Sequence, residues 1–193
     1  MFTSTSTSNT NCAEAGAADV LIPLIRAAAT IGFAIAPCSL GFVIIAVSEQ
    51  LIRSIMVGDD PEMLMSDLQN QFPNAAIEPI EDDAAGLTAK VIDLIERPAK
   101  SMDLPLDIRG TDFQMRVWDA LRKVPAGTTV SYTFLAEQIG EPNAVRAVAQ
   151  ACAANPLAVA IPCHRAVRAD GELAGYRWGI ERKRALLERE ANK

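Results

Sequence analysis

SYTFLAEQIGEPNAVRAVAQACAANPLAVAIPCHR, residues 131–165, holds the densest pattern in this sequence. Ser131 is placed to cap a short helix bearing Phe134, Leu135 and Ile139, and Gly140 supplies its stop. The turn Gly140-Glu141-Pro142-Asn143 leads to a second helix, with Asn143 as the expected cap and Asn155-Pro156 as the end. Two short helices joined by a tight turn containing Gly are a helix-turn-helix signature. On the second helix, Val145, Val148 and Cys152 share one face and are expected to pack inward. Ala147, Ala151 and Ala154 share another, with Arg146 and Gln150 beside them. Small side chains there suit a buried Ala-rich helix. They equally suit a backbone that comes close to a ligand surface such as a DNA groove, with Arg146 as the one long probe.

After Pro156 the run Leu157-Ala158-Val159-Ala160-Ile161 is continuously apolar and reads as a buried strand. Pro162 ends it, because proline cannot continue a central strand. A bend at that point can bring Cys163 and His164 into one pocket, although neighbours on a straight strand point to opposite faces. A His beside a thiol favours the thiolate, which is the nucleophile. A carboxylate behind the imidazole would fix its tautomer. The other reading is a buried, inert cysteine of the kind expected for Cys12, Cys38 and Cys152.

Outward from this stretch, Thr111-x-x-Gln114 resembles a capping box for a helix lined by Phe113, Val117, Leu121 and Val124. Pro125-Ala126-Gly127 stops that helix. Residues 98–107, with two prolines, read as a linker. Before it, Asp60-Pro61 starts a helix with Leu64, Leu68 and Phe72 in register, and a second amphipathic segment runs from about Ala84 to Glu96. Ile31, Phe33 and Ile35, then Phe42, Ile44 and Ile45, form two strands around a turn at residues 37–41, and Leu51 to Val57 gives a third. The expected class is α+β, with a flexible tail and linker at 1–30, an α/β domain at 31–102 and a mostly helical domain at 103–193.

The whole-chain composition fits this division. The chain has 193 residues, 50% of them hydrophobic, which excludes disorder and allows one large or two small cores. Four scattered cysteines make no disulfide framework, which favours a reducing, cytoplasmic setting. One histidine and no Cys-x-x-Cys pair leave no metal site of the usual kinds. The uncharged run Ala27 to Val47 is long enough to span a membrane, but Pro37, Cys38, Ser39 and Gly41 interrupt it, so a meander is expected instead. The formal charge of -6 is unevenly spread. Residues 1–102 hold 5 basic and 13 acidic side chains, whereas 143–193 hold 9 basic and 5 acidic. The acidic total therefore does not exclude a nucleic-acid partner for the second half.

Ile161-Pro162-Cys163-His164-Arg165 resembles the active-site signature of the 6-O-alkylguanine-DNA alkyltransferases, also called methylated-DNA–protein-cysteine methyltransferases. Further marks fall in order around it. They are Arg109-Gly110-Thr111-x-Phe113-Gln114, Val117-Trp118, Val130-Ser131-Tyr132, Ala144-Val145-Arg146-Ala147-Val148, Asn155-Pro156, Gly175-Tyr176-Arg177-Trp178 and Leu186-Leu187-x-x-Glu190. The resemblance covers roughly 31–190 and is closest to the C-terminal repair half of the adaptive-response members. It implies a ribonuclease H-like first domain and a winged-helix-like second one. It implies that Cys163 accepts the alkyl group, that His164 takes the thiol proton through a water, and that Glu190 orients His164. Tyr132 would serve the departing guanine, and Arg146 would fill the gap left by a flipped base. Ala144, Ala147, Ala151 and Gln150 would lie on the minor groove of duplex DNA. Asn155 would brace the turn, and Tyr176 and Arg177 would cover the base pocket. The implied lesions are 6-O-methylguanine and 4-O-methylthymine, and the implied state is a monomer without cofactor. The four-cysteine zinc module of the adaptive-response members has no counterpart in these residues, nor has the zinc site of some animal members. The non-reactive relatives replace the active cysteine, so Cys163 argues against that class here, and a lesion sensor that leaves the alkyl group on DNA is the alternative reading.

Overall fold

The computed structural model describes residues 30–80, 86–100 and 102–192. The tail expected at 1–30 lies outside them except for Thr30, as do Cys12 and the Ala84-Ala85 start given to the second helix.

The meander is present. Strands β1 (Thr30–Cys38) and β2 (Gly41–Ser48) pair antiparallel with Cys38 opposite Gly41, and β2 pairs with β3 (Leu51–Gly58). Glu49 and Gln50 both take positive φ, 52° and 64°, which is what a two-residue hairpin in a right-twisted sheet demands. Val43, Ile44, Ile45 and Ala46 of the inner strand β2 are all buried, as suits a strand covered on both faces. A strand that sequence periodicity does not announce, β4 (Ala76–Pro79), adds parallel to β1, giving the order β3-β2-β1-β4. It is only four residues long and mostly exposed, so it has no alternation to read.

Helix α1 (Pro61–Gln71) starts where expected, with Asp60 accepting from the Glu62 N–H, and buries Leu64 and Leu68. Helix α2 (Leu87–Glu96) buries Leu87, Val91, Leu94 and Ile95. In the second half, α3 (Asp112–Arg122) carries the full Thr111–Gln114 capping box. Helix α4 (Tyr132–Gln138) is capped by Ser131, and α5 (Val145–Ala153) follows after the Gly140 turn. Both pack on α3 and on each other. Two short strands, β5 (Val130–Ser131) and β6 (Ala166–Val167), pair in parallel, and α6 (Ile180–Ala191) closes the chain.

Two local expectations need correction. Asn143 does not cap α5; the cap position is Ala144, with no side-chain hydrogen bond, because the turn hands over one residue later. Residues 157–161 are buried except for the half-buried Ala160, but they are not a strand, for a reason given below. Helix α4 turns Leu135 and Ala136 inward and leaves Phe134 43% exposed.

The architecture is mixed α/β, a small sheet with several helices. No helix among the described residues is long and apolar enough to cross a membrane. The outer edge of β3 joins the two halves. Ile52 N–H donates to Pro105 O at 2.7 Å and Asp107 N–H to Ile52 O at 3.0 Å, so the end of the expected linker docks there. Farther along, Ile55 N–H donates to Pro156 O and Ala158 N–H to Ile55 O, both at 2.9 Å. These contacts satisfy an edge that would otherwise invite pairing with another chain. They also anchor the segment leading to Cys163.

Candidate active site

The segment after α5 is organised by one side chain. Asn155 is fully buried. Its Oδ1 accepts from Leu157 N–H at 2.9 Å, and its Nδ2 donates toward Ile161 O at 2.9 Å, Leu157 O at 3.3 Å and Cys163 Sγ at 3.1 Å. With Ile161 N–H donating to Leu157 O, the backbone groups that a strand would give to neighbours are met inside a tight turn. Val159 sits at φ 65°, a left-handed conformation that a β-branched residue rarely adopts and that no strand contains. The apolar run therefore coils upon itself and keeps a single bridge, Ile55 with Leu157. Pro162 leads into one 3₁₀ turn, Cys163–Arg165, all three residues of which are buried.

Glu190, from the last turn of α6, is the hub beneath that turn. Its Oε1 lies 2.9 Å from His164 Nε2 and accepts from Arg165 Nη2 at 2.8 Å and Nε at 3.1 Å. Its Oε2 accepts from the Gly127 N–H at 3.0 Å. Gly127 is at φ 79°, and a Cβ there would stand 3.1 Å from the Glu190 carbonyl oxygen, so glycine suits both the turn and the approach. Arg165 Nη1 donates to Val124 O, tying the ion pair to the end of α3. Burial alone would raise the Glu190 pKa, but hydrogen bonds from His164 and Arg165 prevail and hold it at about 2. Burial pushes His164 below its ordinary value, against the pull of Glu190. The imidazole is thus neutral beside an anionic carboxylate. A carboxylate only accepts, so Nε2 carries the hydrogen and Nδ1 keeps its lone pair. That Nδ1 is buried and has no hydrogen-bond partner among the described residues.

The Cys163 thiol does not rest as a thiolate. Burial pushes its pKa up to about 11, and the Asn155 amide and the Lys183 charge only partly offset this. The thought that a neighbouring His ionises it in advance is therefore corrected: the sulfur keeps its proton, and its hydrogen-bond partner is Asn155. Tyr132, at the start of α4, is half-buried, and burial lifts its phenol to about 12 with the thiols of Cys152 and Cys163 adding to the rise, so it is a proton donor and not an anion. The Tyr176 hydroxyl is buried, and its ring meets Trp178 edge-on at 5.1 Å. Arg177 Nη1 donates to Asn155 O at 3.2 Å, so the 175–177 segment lies against the organising turn.

On α5, Arg146 and Gln150 are exposed and Ala144 and Ala147 half-buried. Ala151 does not join them. It is 3% exposed, and its carbonyl accepts from Trp118 Nε1 at 2.8 Å where α5 packs on α3. Val148 and Cys152 point inward as expected.

Two buried cations escape a reading of the sequence. Arg165 stands beside His164 in the chain, yet its role as second partner of Glu190 depends on contacts 25 residues away. Lys183 looks like an ordinary charge on a polar helix. It is wholly buried, and its Nζ donates to Ala166 O and to Ala174 O.

Comparisons with known proteins bear on this arrangement. Residues 112–192 match the family model described as 6-O-methylguanine DNA methyltransferase, DNA binding domain. The chain is 53% identical to the Escherichia coli bifunctional transcriptional activator/DNA repair enzyme Ada over 159 residues, 82% of this chain and 45% of that protein. It therefore spans about half the length of the first curated relatives it matches. It is 37% identical over 129 residues to the inducible methylated-DNA–protein-cysteine methyltransferase of Bacillus subtilis, covering 67% of this chain and 72% of that one. Among solved structures, Mycobacterium tuberculosis OGT in complex with DNA superposes with a TM-score of 0.70 at 34% identity, covering 83% of this chain and 93% of that chain. With matches of this extent on both sides, the chain belongs to the 6-O-methylguanine DNA methyltransferase family.

Proposed function

We propose that this protein repairs DNA by moving the alkyl group of 6-O-methylguanine, and of 4-O-methylthymine, onto its own Cys163. The observation that carries the reading is the buried set Asn155, Cys163, His164 and Glu190, organised by the turn that follows a helix exposing Arg146. His164 Nδ1 takes the thiol proton through one water molecule as the sulfur attacks the methyl carbon from the side opposite the oxygen. The S–C bond forms while the O–C bond breaks, and the guanine leaves with the electron pair. Tyr132, kept protonated at neutral pH, donates a hydrogen bond to the departing base, and Glu190 stabilises the imidazolium that forms. The product is a thioether, which nothing in the site can hydrolyse, so each molecule acts once and needs no cofactor.

A base inside a duplex hides the carbon under attack, so the lesion is extruded at a cost of a few kcal/mol. Arg146 fills the gap and offsets part of that cost. Helix α5 enters the minor groove, with Ala144 and Ala147 allowing close approach and Gln150 beside them, while Tyr176 and Arg177 close over the base. Within this reading the sheet at 31–102 is ribonuclease H-like, the part at 103–193 is winged-helix-like, and the protein works as a cytoplasmic monomer. The test mixes the protein with a duplex containing 6-O-methylguanine and maps the modified residue by mass. One methyl on Cys163, lost in Cys163→Ala, is the expected result. Lesion binding with the methyl left on DNA would instead identify a sensor, and repeated turnover would end the single-use reading.

A further inference from the structure

The pairing of β5 with β6 sets Ser131 opposite Val167, so Arg168, the next residue, emerges beside Tyr132 at the mouth of the site. The chain then turns tightly, with Gly171 N–H donating to Arg168 O and Arg168 N–H to Glu172 O, both at 3.0 Å. This fixes the backbone of Arg168 while its side chain stays 60% exposed. Its ion-pair partner among the described residues is Glu172, 71% exposed and 3.7 Å away, too far for a hydrogen bond. Such a pair is weak and exchangeable. Asp170, the other acid of the turn, accepts the Glu172 N–H instead. The Arg168 charge also works against the rise that burial imposes on the Tyr132 phenol.

We propose that Arg168 is a phosphate anchor for the DNA strand whose nucleotide enters the Cys163 pocket. This rests on the function proposed above. A nucleotide with its base at Tyr132 and Cys163 leaves its phosphates at the rim, outside the ring of Tyr132. An Arg fork there meets a phosphate with two parallel hydrogen bonds and exchanges Glu172 for the stronger anion. The contact carries no sequence information; it sets the register in which the lesion meets the thiol. Glu172 holds the guanidinium poised and competes with the phosphate.

The test separates this anchor from the chemistry. In a Cys163→Ser background, binding to a duplex containing 6-O-methylguanine is measured against salt. Arg168→Ala should reduce the steepness of log K against log salt by about 0.9, the release of one counterion. Arg168→Lys should keep the slope, Glu172→Gln should tighten binding at low salt, and Lys90→Ala on α2 should leave the slope alone. An unchanged slope in Arg168→Ala overturns the anchor. In the reactive protein, Arg168→Ala should lose about tenfold in transfer from duplex and less from the free modified base; equal losses would move Arg168 into the chemistry and also overturn the anchor. If the reactive protein transfers no methyl from any duplex, the transferase reading fails, while the salt slope still decides Arg168.

Discussion

The two halves of the molecule are buried by different means. The first half packs Ile31, Val43, Ile44, Ile45, Ile52, Ile55 and Met56 around one sheet, and Ser54 is its buried polar side chain among the described residues. The second half has an apolar core of its own, with Val117, Trp118, Leu121, Leu135, Ile161 and Leu186, and adds Asn155, His164, Arg165, Lys183 and Glu190 to it. Apolar burial is non-directional and tolerant of detail. Buried charge is costly to desolvate and is retained where each group has its partners in place. The difference adds directional, partner-dependent burial to the second half, and substitutions in each should fail in different ways.

The largest expected effect is at the hub. Glu190→Gln leaves the Arg165 charge without its carboxylate and removes the anion that holds His164 Nε2–H, so unfolding stability should fall by about 3–5 kcal/mol. Alkyl transfer per folded molecule should slow while duplex binding holds. Loss of binding with unchanged transfer would make Glu190 purely a brace. The unaltered protein offers the same test through pH. Both folded pKa values are depressed, so the folded site binds fewer protons than the unfolded chain in each window. Stability should therefore fall as pH drops below about 6.5, where unfolded His164 takes a proton that the folded one resists. It should fall again from 4.5 toward about 2 as Glu190 is forced to protonate. Denaturant midpoints across pH 7 to 3 check this; flat midpoints would contradict the buried hub.

A cavity in the other half should separate folding from chemistry. Ile44 is fully buried in the inner strand of the sheet. Ile44→Ala should cost about 3 kcal/mol through lost transfer energy and the space left behind. The rate of transfer to Cys163, corrected for the folded fraction, should be unchanged, because no polar partner of the hub is disturbed. A slower corrected rate would show that the sheet positions the 155–163 turn through β3, where Ile55 holds Pro156 and Ala158.

The same contrast explains what could be read in advance. Period and capping are local, so the meander, the Asp60 start of α1, the Thr111 box and the Ser131 cap were legible. The resemblance, carried by residues 161–165 and 186–190, pointed at Cys163, His164 and Glu190, and the structure sets His164 against Glu190. What was hidden is what depends on side chains reaching across the chain. Residues 157–161 have the composition of a strand, but Asn155 bonds the groups that would have made the ladder. Ala151 has the size of a groove-facing residue, but Trp118 lies over its carbonyl. Lys183 sits on a helix with six other charged residues among twelve, and nothing in that pattern marks it as buried.

The smallest expected effect lies at the seam between the halves. Thr111 accepts from the Gln114 N–H at 3.3 Å, and Gln114 Oε1 accepts from the Thr111 N–H at 2.9 Å. Both groups are near solvent, so Thr111→Ala removes one capping bond whose donor water can partly satisfy, and it should cost about 1 kcal/mol. The helix it starts holds Trp118, whose indole N–H reaches the Ala151 carbonyl on α5, seven residues further along. Fraying at a helix end is spent within its first turn, so it should not reach Trp118. Transfer to Cys163 and binding to duplex should both match the unaltered protein in a stopped assay at 25 °C. If duplex binding weakens with so small a change in stability, the start of α3 is part of the DNA-facing surface, and the second half meets DNA through more than α5.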